Sequence, residues 1–385
     1  MTNLRRKFIE IMGKEKWQVI TIPAFAILLS LIAGAIIILI LGRNPLSAFY
    51  NLLQGAGIMP KANYAAYKNN FTDFMSLLDA MTPLLFASLA VAVGLRAGLF
   101  NIGVSGQMLL AGFMSTVLIG YSGLPAVLAK PLVILVGMAA GGLLGALIGF
   151  LKYRFNINEV VSSIMFNYIA QYVISFFIQT RYIDPVSRQS RYISDAARLT
   201  FTNVEIGGLR MDISMGIFIA ILVSILLKFF MDKTRIGFEL SAVGSNPRAS
   251  RYAGMNVGRS MILAMVLSGA LAGLAGVTYY LGYYASIQPR VLSATGFDGI
   301  AVALLGNSNP IGIIFASLLI SIIENGSTYM SSISGIRQEI ASVITGLILL
   351  FSATGTYIKY RIKTTRDKMV YDEKRRLDDD GHNNN

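Results

Sequence analysis

Long apolar stretches free of charge constrain this chain most. Residues 19–41 carry no Asp, Glu, Lys or Arg, and as a helix they would run about 34 Å at ~1.5 Å per residue, enough to cross a bilayer core of about 30 Å. A cleaved leader is the rival reading. Its apolar region is normally about 7–15 residues followed by a small-residue cleavage site, and this run is longer and lacks such a site, so an uncleaved first span is expected. Stretches of the same kind lie at 76–95, 98–120, 131–151, 160–179, 213–231 and 261–281, followed by a short one at 297–306, then 311–323 and 340–358. About ten spans of about 20 residues need about 200 apolar residues, and 54% of the 385 residues are hydrophobic while only 14% are charged. The expected class is all-α: a polytopic transmembrane helical bundle of about ten spans, some short or broken.

Composition also narrows the chemistry. With no Cys and a single His, His382, thiolate catalysis, histidine-based metal sites and Ser/His triads are excluded. The net charge of +13 invites a nucleic-acid reading, but the basic residues are spread through loops beside the spans, where they orient the chain and meet anionic lipid. Arg5, Arg6, Lys7, Lys14 and Lys16 precede the first span, Lys228, Lys233, Arg235, Arg248, Arg251 and Arg259 cluster around residues 232–258, and more follow residue 359. Most of the 33 basic residues fall on one side when both termini are cytoplasmic, although Arg181, Arg188, Arg191, Arg198 and Arg210 share one outer loop. The expected organisation is a basic cytoplasmic N-terminus (1–18), a transmembrane domain (19–358) and a basic cytoplasmic tail (359–385) ending in a disordered acidic and Asn-rich segment. Trp17, Tyr357 and Tyr360 suit interfacial anchoring.

Polar residues inside apolar stretches are the candidates for a pathway. The second and third spans are joined through GLFNIGVSGQ (98–107), a turn that implies a broken element, and irregular backbone at membrane depth persists only when buried in protein or facing a water-filled cavity. Asn101 and Gln107 offer amides to a polar solute, or else satisfy freed backbone groups while the glycines permit close packing. Asn167 lies two turns into the fifth span, past Glu159, which suits a plain interfacial carboxylate near Lys152 and Arg154. Asp79 and Glu324 also fall in apolar stretches, too few and scattered for a proton relay. Phe297 offers a ring for stacking or for packing, and Asn307 belongs to a break before Pro310. The stretches AVAVGLRAG (90–98) and GIAVALLGN (299–307) share a small-apolar, Gly-punctuated texture, of the kind that internal repeats of transporters show.

Between the sixth and seventh spans, residues 232–258 contain AVGSNPRASRYAG (242–254). Asn246 is a natural helix cap, Pro247 a natural first helical residue and Gly254 a natural stop. A helix over 247–253 is too short to stand alone and has little apolar face, so it is expected to dock on a partner, with Arg251 and Tyr252 available at its end.

Four stretches, GLFNIGVSGQ (98–107), NEVVSSIMFNYIA (158–170), AVGSNPRASRYAGMNV (242–257) and GFDGIAVALLGNSNPIG (296–312), carry a resemblance to permease subunits of ATP-binding-cassette importers. The likeness is to the branched-chain amino acid and ribose-type superfamily, and within it to the nucleoside and simple-sugar permeases. It implies that Gly244, Asn246, Pro247, Ala249, Arg251, Tyr252 and Gly254 belong to a coupling helix seated in an ATPase groove. It also implies a second homologous permease, an ATPase with two nucleotide-binding modules and an extracellular substrate-binding lipoprotein, in a bacterial plasma membrane. The chain lacks G-x-x-x-x-G-K-[ST], so ATP and Mg are expected on the partner and no cofactor on this chain. Ser105 departs from the acidic residue usual in relatives. The expected function is import of a nucleoside along Asn101, Gln107, Asn167, Phe297 and Asn307, with a ribose-like sugar permease, an ion-coupled carrier and a membrane-embedded enzyme as rivals.

Overall fold

Prolines and asparagines at the ends of the apolar stretches divide the chain into helices whose ends they cap. In a computed structural model, which describes residues 15–353, 364 and 365, thirteen α-helices and one β-hairpin follow in order. They are α1 (Glu15–Ile40), α2 (Pro45–Gly55), α3 (Asn70–Arg96), α4 (Val104–Ser115), α5 (Ala126–Phe155), α6 (Glu159–Phe177), β1 (Thr200–Ile206) and β2 (Leu209–Ser214). Then come α7 (Met215–Lys233), α8 (Arg235–Ser245), α9 (Pro247–Tyr252), α10 (Val257–Thr278), α11 (Thr295–Leu305), α12 (Pro310–Ser334) and α13 (Glu339–Ala353). Helices α4, α6 and α10 each run on into a wide i→i+5 turn, at Thr116–Gly120, Ile178–Tyr182 and Tyr279–Tyr283. Residues 1–14, the anchors Tyr357 and Tyr360, and the expected basic tail apart from Thr364 and Thr365 lie outside the described residues, as does the side chain of Trp17.

Six of these helices are long and apolar enough to cross a membrane, or up to seven if Ala24–Ile40 and Pro45–Gly55 make one span, and Val104–Gly120, Thr295–Leu305 and Glu339–Ile348 are shorter apolar helices. The chain is a multi-pass membrane protein. The described residues form two compact units, one from 15–46 and 336–353 and one from 47–335. In the larger unit α3 is the central helix, with 89% of its apolar window buried, whereas α7 has only 28% buried and turns most of its apolar surface outward. Lipid tails are as apolar as leucine, so helix pairs in a membrane gain from close approach more than from burial. Helices α5 and α10 use that route: a Cβ on Gly141 would lie 2.2 Å from the Gly269 carbonyl oxygen and one on Gly145 2.1 Å from that of Met265.

Two expectations are corrected. The span expected at 311–323 continues to Ser334, because the polar residues that follow the apolar run bond back along the helix: Asn325 Nδ2 donates to the Ser321 carbonyl at 3.1 Å and Ser327 Oγ to that of Glu324 at 2.6 Å. The fold, expected to be all-α, also holds in its outer loop the antiparallel pair β1–β2, with Glu205 opposite Arg210 and Ile206 opposite Leu209 across Gly207 and Gly208. Apart from this sheet the described fold is helical, as expected. Asp79 on α3 anchors the hairpin, its Oδ1 accepting from Thr200 Oγ1 at 2.9 Å. Earlier in the same loop, the Val186 amide and Ser187 hydroxyl donate to Asp184 and hold its carboxyl below the usual carboxylate range.

Candidate functional site

Helix α9 forms where Asn246 and Pro247 place it. Asn246 is extended (φ −156°), and its Oδ1 accepts from the amides of Arg248 at 3.1 Å and Ala249 at 3.0 Å, satisfying donors that a helix start leaves open. At the other end the Met255 amide bonds the Ser250 carbonyl at 3.0 Å, and Gly254 takes φ +80°, a left-handed stop that suits glycine. Only Ser250 of this helix is buried; Arg251 is exposed, and Tyr252 is 95% exposed. Its stability therefore comes from its caps and neighbours rather than from a core of its own. Thr234 alone separates α7 from α8, and its Oγ1 caps α8 by accepting from the Gly237 amide at 3.1 Å. Leu240 and Val243 of α8 are buried. Between α8 and the start of α10 lies a cavity of about 620 Å³ lined by Arg235, Phe238, Glu239, Gly254 and Arg259.

Gly244, near the end of α8, rests on the turn that follows α3. A Cβ on Gly244 would fall 2.3 Å from the Arg96 carbonyl oxygen and 2.7 Å from the Gly98 nitrogen, and one on Gly98, itself at φ +70°, would fall 2.8 Å from the Gly244 oxygen. The two backbones touch with no side chain between them. The same turn is held from α7 and from the α11–α12 link: Arg96 Nη1 pairs with Asp232 Oδ1 at 2.9 Å, Lys228 Nζ with Asp232 Oδ2 at 2.5 Å, and Arg96 Nε donates to the Ser308 carbonyl at 3.0 Å. The two Gly-punctuated stretches thus end side by side, α3 at Arg96 and α11 in the link that holds Asn307 (φ 54°) and Ser308.

Just beyond, the break between α3 and α4 carries a closed amide network. Asn101 Nδ2 donates to Gln107 Oε1 at 2.9 Å and to Ser268 Oγ at 2.8 Å, while its Oδ1 accepts from the Gly103 amide at 2.9 Å. Ser268 Oγ in turn donates to the Ala90 carbonyl at 2.6 Å. Asn167 on α6 grips the same loop, accepting from the Gly106 amide at 2.8 Å and donating to the Ile102 carbonyl at 3.0 Å. Asn101 and Gln107 are fully buried and Asn167 nearly so. Their amides meet protein groups rather than a water-filled cavity, apart from Gln107 Nε2, which is buried with no protein partner. Such donors cost about 1–3 kcal/mol each when left unpaired, so the network accounts for the loop's irregular path.

Of the other sequence-derived residues, Phe297 sits on the first turn of α11 and is 45% exposed. Its neighbour Gly296 packs on Ser105, whose Oγ donates to the Ser293 carbonyl at 2.9 Å. Glu159 pairs with Lys152 at 2.9 Å. Sequence reasoning missed Ser268, Asp232 and the part played by Gly98. A lone serine in the Gly/Ala-rich run of α10 was the available signal for the first.

The fold and site define a multi-pass helical membrane protein in which the capped helix pair α8–α9 packs on the broken link between α3 and α4. Comparison identifies the family. The profile described as branched-chain amino acid transport system / permease component matches residues 74–353, more than half of the chain, and the protein belongs to that permease family. The chain is 36% identical to the nucleoside ABC transporter permease protein NupB of Lactococcus lactis over 88% of its length and 92% of that protein's. It is 36% identical to the guanosine ABC transporter permease protein NupP of Bacillus subtilis, over 88% and 94%. It is also 28% identical to a second Lactococcus lactis permease, NupC, over 68% and 84%, so it resembles two different permease subunits of one bacterium.

Proposed function

We propose that this chain is the transmembrane subunit of an ATP-driven importer that carries nucleosides across a bacterial plasma membrane, with both termini in the cytoplasm. ATP and Mg belong to a separate ATPase with two nucleotide-binding modules. A second, related permease completes the pathway, and an extracellular lipoprotein delivers the solute to the loops at the far end. The relatives named for nucleoside and guanosine transport support the substrate class.

The observation that carries the mechanism is the backbone contact between Gly244 and the Arg96–Gly98 turn. When the ATPase closes, it displaces α9 through Arg251 and Tyr252. Gly244 passes that displacement to the turn after α3, and the loop held by Asn101, Gln107 and Asn167 shifts, switching access between the two sides. In this reading Phe297 and Asn307 border the path on α11 and its following turn, while the three buried amides set the geometry of the gate. The test is uptake of labelled guanosine in cells expressing the whole transporter. Uptake should survive an ionophore while ATP is held constant and fail on ATP depletion; the opposite pattern returns the protein to the ion-coupled carriers.

A further inference from the structure

Helix α10 begins beside α9 and, some 22 residues on, delivers a cluster of tyrosines to the opposite end of the bundle. There the helix widens into the turn Tyr279–Tyr283, and the Tyr284 amide bonds the Tyr279 carbonyl at 3.0 Å. This five-residue turn brings the rings of Tyr279 and Tyr284 to 4.9 Å, and Tyr279 also meets Tyr280 at 4.8 Å and 80°. Wide turns of this kind concentrate at functional sites. Membrane-interface tyrosines are commonly lipid anchors that point outward singly. These rings instead gather around a cavity of about 240 Å³, lined also by Gln189, Gln288 and Ser293.

The walls of this cavity are fixed. Tyr280 is 4% exposed and lies against Gly112, where a Cβ would fall 2.4 Å from its ring. Ser286 Oγ donates to Gln189 Oε1 at 2.6 Å, leaving the amide NH₂ as the group Gln189 offers, and the Ser190 amide bonds the Ile287 carbonyl at 2.9 Å. Below, the Ser293 carbonyl is held by Ser105 of α4. Ser105, a neutral hydroxyl, thus keeps this floor free of a charge.

We propose that this pocket binds the base of a nucleoside on its way into the pathway, an inference that rests on the nucleoside reading above. Tyrosine faces stack on flat heterocycles of any sequence, and the Gln189 and Gln288 amides match the donor and acceptor edge of a base. The lining holds no Asp, Glu, Lys, Arg or His, so a phosphate would enter without a cationic partner. The site therefore takes nucleosides and rejects nucleotides. Its volume is below the roughly 300–1,000 Å³ of pockets that take drug-sized ligands, so it holds a base and part of its ribose.

The experiment uses the complete transporter, purified and, for labelling, freed of its binding protein. Irradiation with 8-azidoguanosine should label the peptides spanning 279–293 or 186–191. Excess guanosine should compete while ribose and GMP do not, and Tyr279→Leu should reduce the label about tenfold whereas Tyr279→Phe retains it. Label elsewhere, no competed label, or equal competition by GMP overturns the proposal. Guanosine uptake by the same wild-type complex, with its binding protein restored, separates the two readings. Uptake with the label elsewhere removes this pocket alone, and no uptake of any nucleoside removes the transport reading and the pocket with it.

Discussion

Gly98 and Gly244 touch backbone to backbone, one at the foot of α3 and the other near the end of α8, with each occupying the volume the other's Cβ would need. Contacts of this kind transmit force with little slack, since no rotamer can absorb the displacement. The helix pair α8–α9 and the amide-bound loop that begins α4 are thereby joined through three residues, Arg96–Gly98.

Gly244→Ala should break that junction. A Cβ there would lie 2.3 Å from the Arg96 carbonyl oxygen, backbone that cannot turn aside, so α8 must shift. Guanosine uptake should fall about tenfold or more while the assembled complex still hydrolyses ATP. Gly123→Ala, a change with nothing within 4 Å, is the control and should stay within about 0.5 kcal/mol of the wild type. Unchanged uptake in Gly244→Ala would show that the junction carries no motion.

Asn246→Ala removes the only side-chain cap of α9, the acceptor for the Arg248 and Ala249 amides. The cost is about 1 kcal/mol, large for a six-residue helix, so α9 should fray and the ATPase should co-purify less well. Asn246→Asp keeps an acceptor at the cap and should restore binding. Equal loss in both variants would mean that the amide itself meets the partner.

Arg251→Glu tests the exposed end of α9 without touching its fold. Arg251 is exposed and beside Tyr252, and surface substitutions away from special features usually change stability within about 0.5 kcal/mol. The variant should insert and assemble with the second permease at wild-type levels and lose ATP-dependent uptake. Normal uptake would dismiss α9 as the docking element.

Asn246, Pro247 and Gly254 were legible as a cap, a first residue and a stop because each acts through local backbone chemistry, and α9 forms between them. The apolar stretches were legible for the same reason, since crossing a bilayer needs only length and lack of charge. The destination of Asn101 was not, because its partners Gln107 and Ser268 include one that tertiary packing brings from a distant helix. The hairpin was present as alternation around Gly207 and Gly208, but charged residues such as Glu205 and Arg210 make it read as an ordinary outer loop. The extension of α12 past Glu324 was hidden by polar side chains that bond within their own helix.

The amide network gives the sharpest test of cooperation. Asn101→Leu keeps the bulk but strands Gln107 Oε1 and the Gly103 amide, and removes a donor from Ser268, a loss of about 1–3 kcal/mol for each buried group left unpaired. The detergent-solubilised complex should lose thermal stability as well as uptake. Ser268→Ala removes the bond to Asn101 and the one to Ala90, a smaller loss. Because both changes cut the same Asn101–Ser268 bond, the double variant should cost less than the two singles together, by about 0.5–3 kcal/mol. Strict additivity would mean that the two residues act independently, and the loop between α3 and α4 would then be held by Asn167 and the Arg96 turn rather than by one connected network.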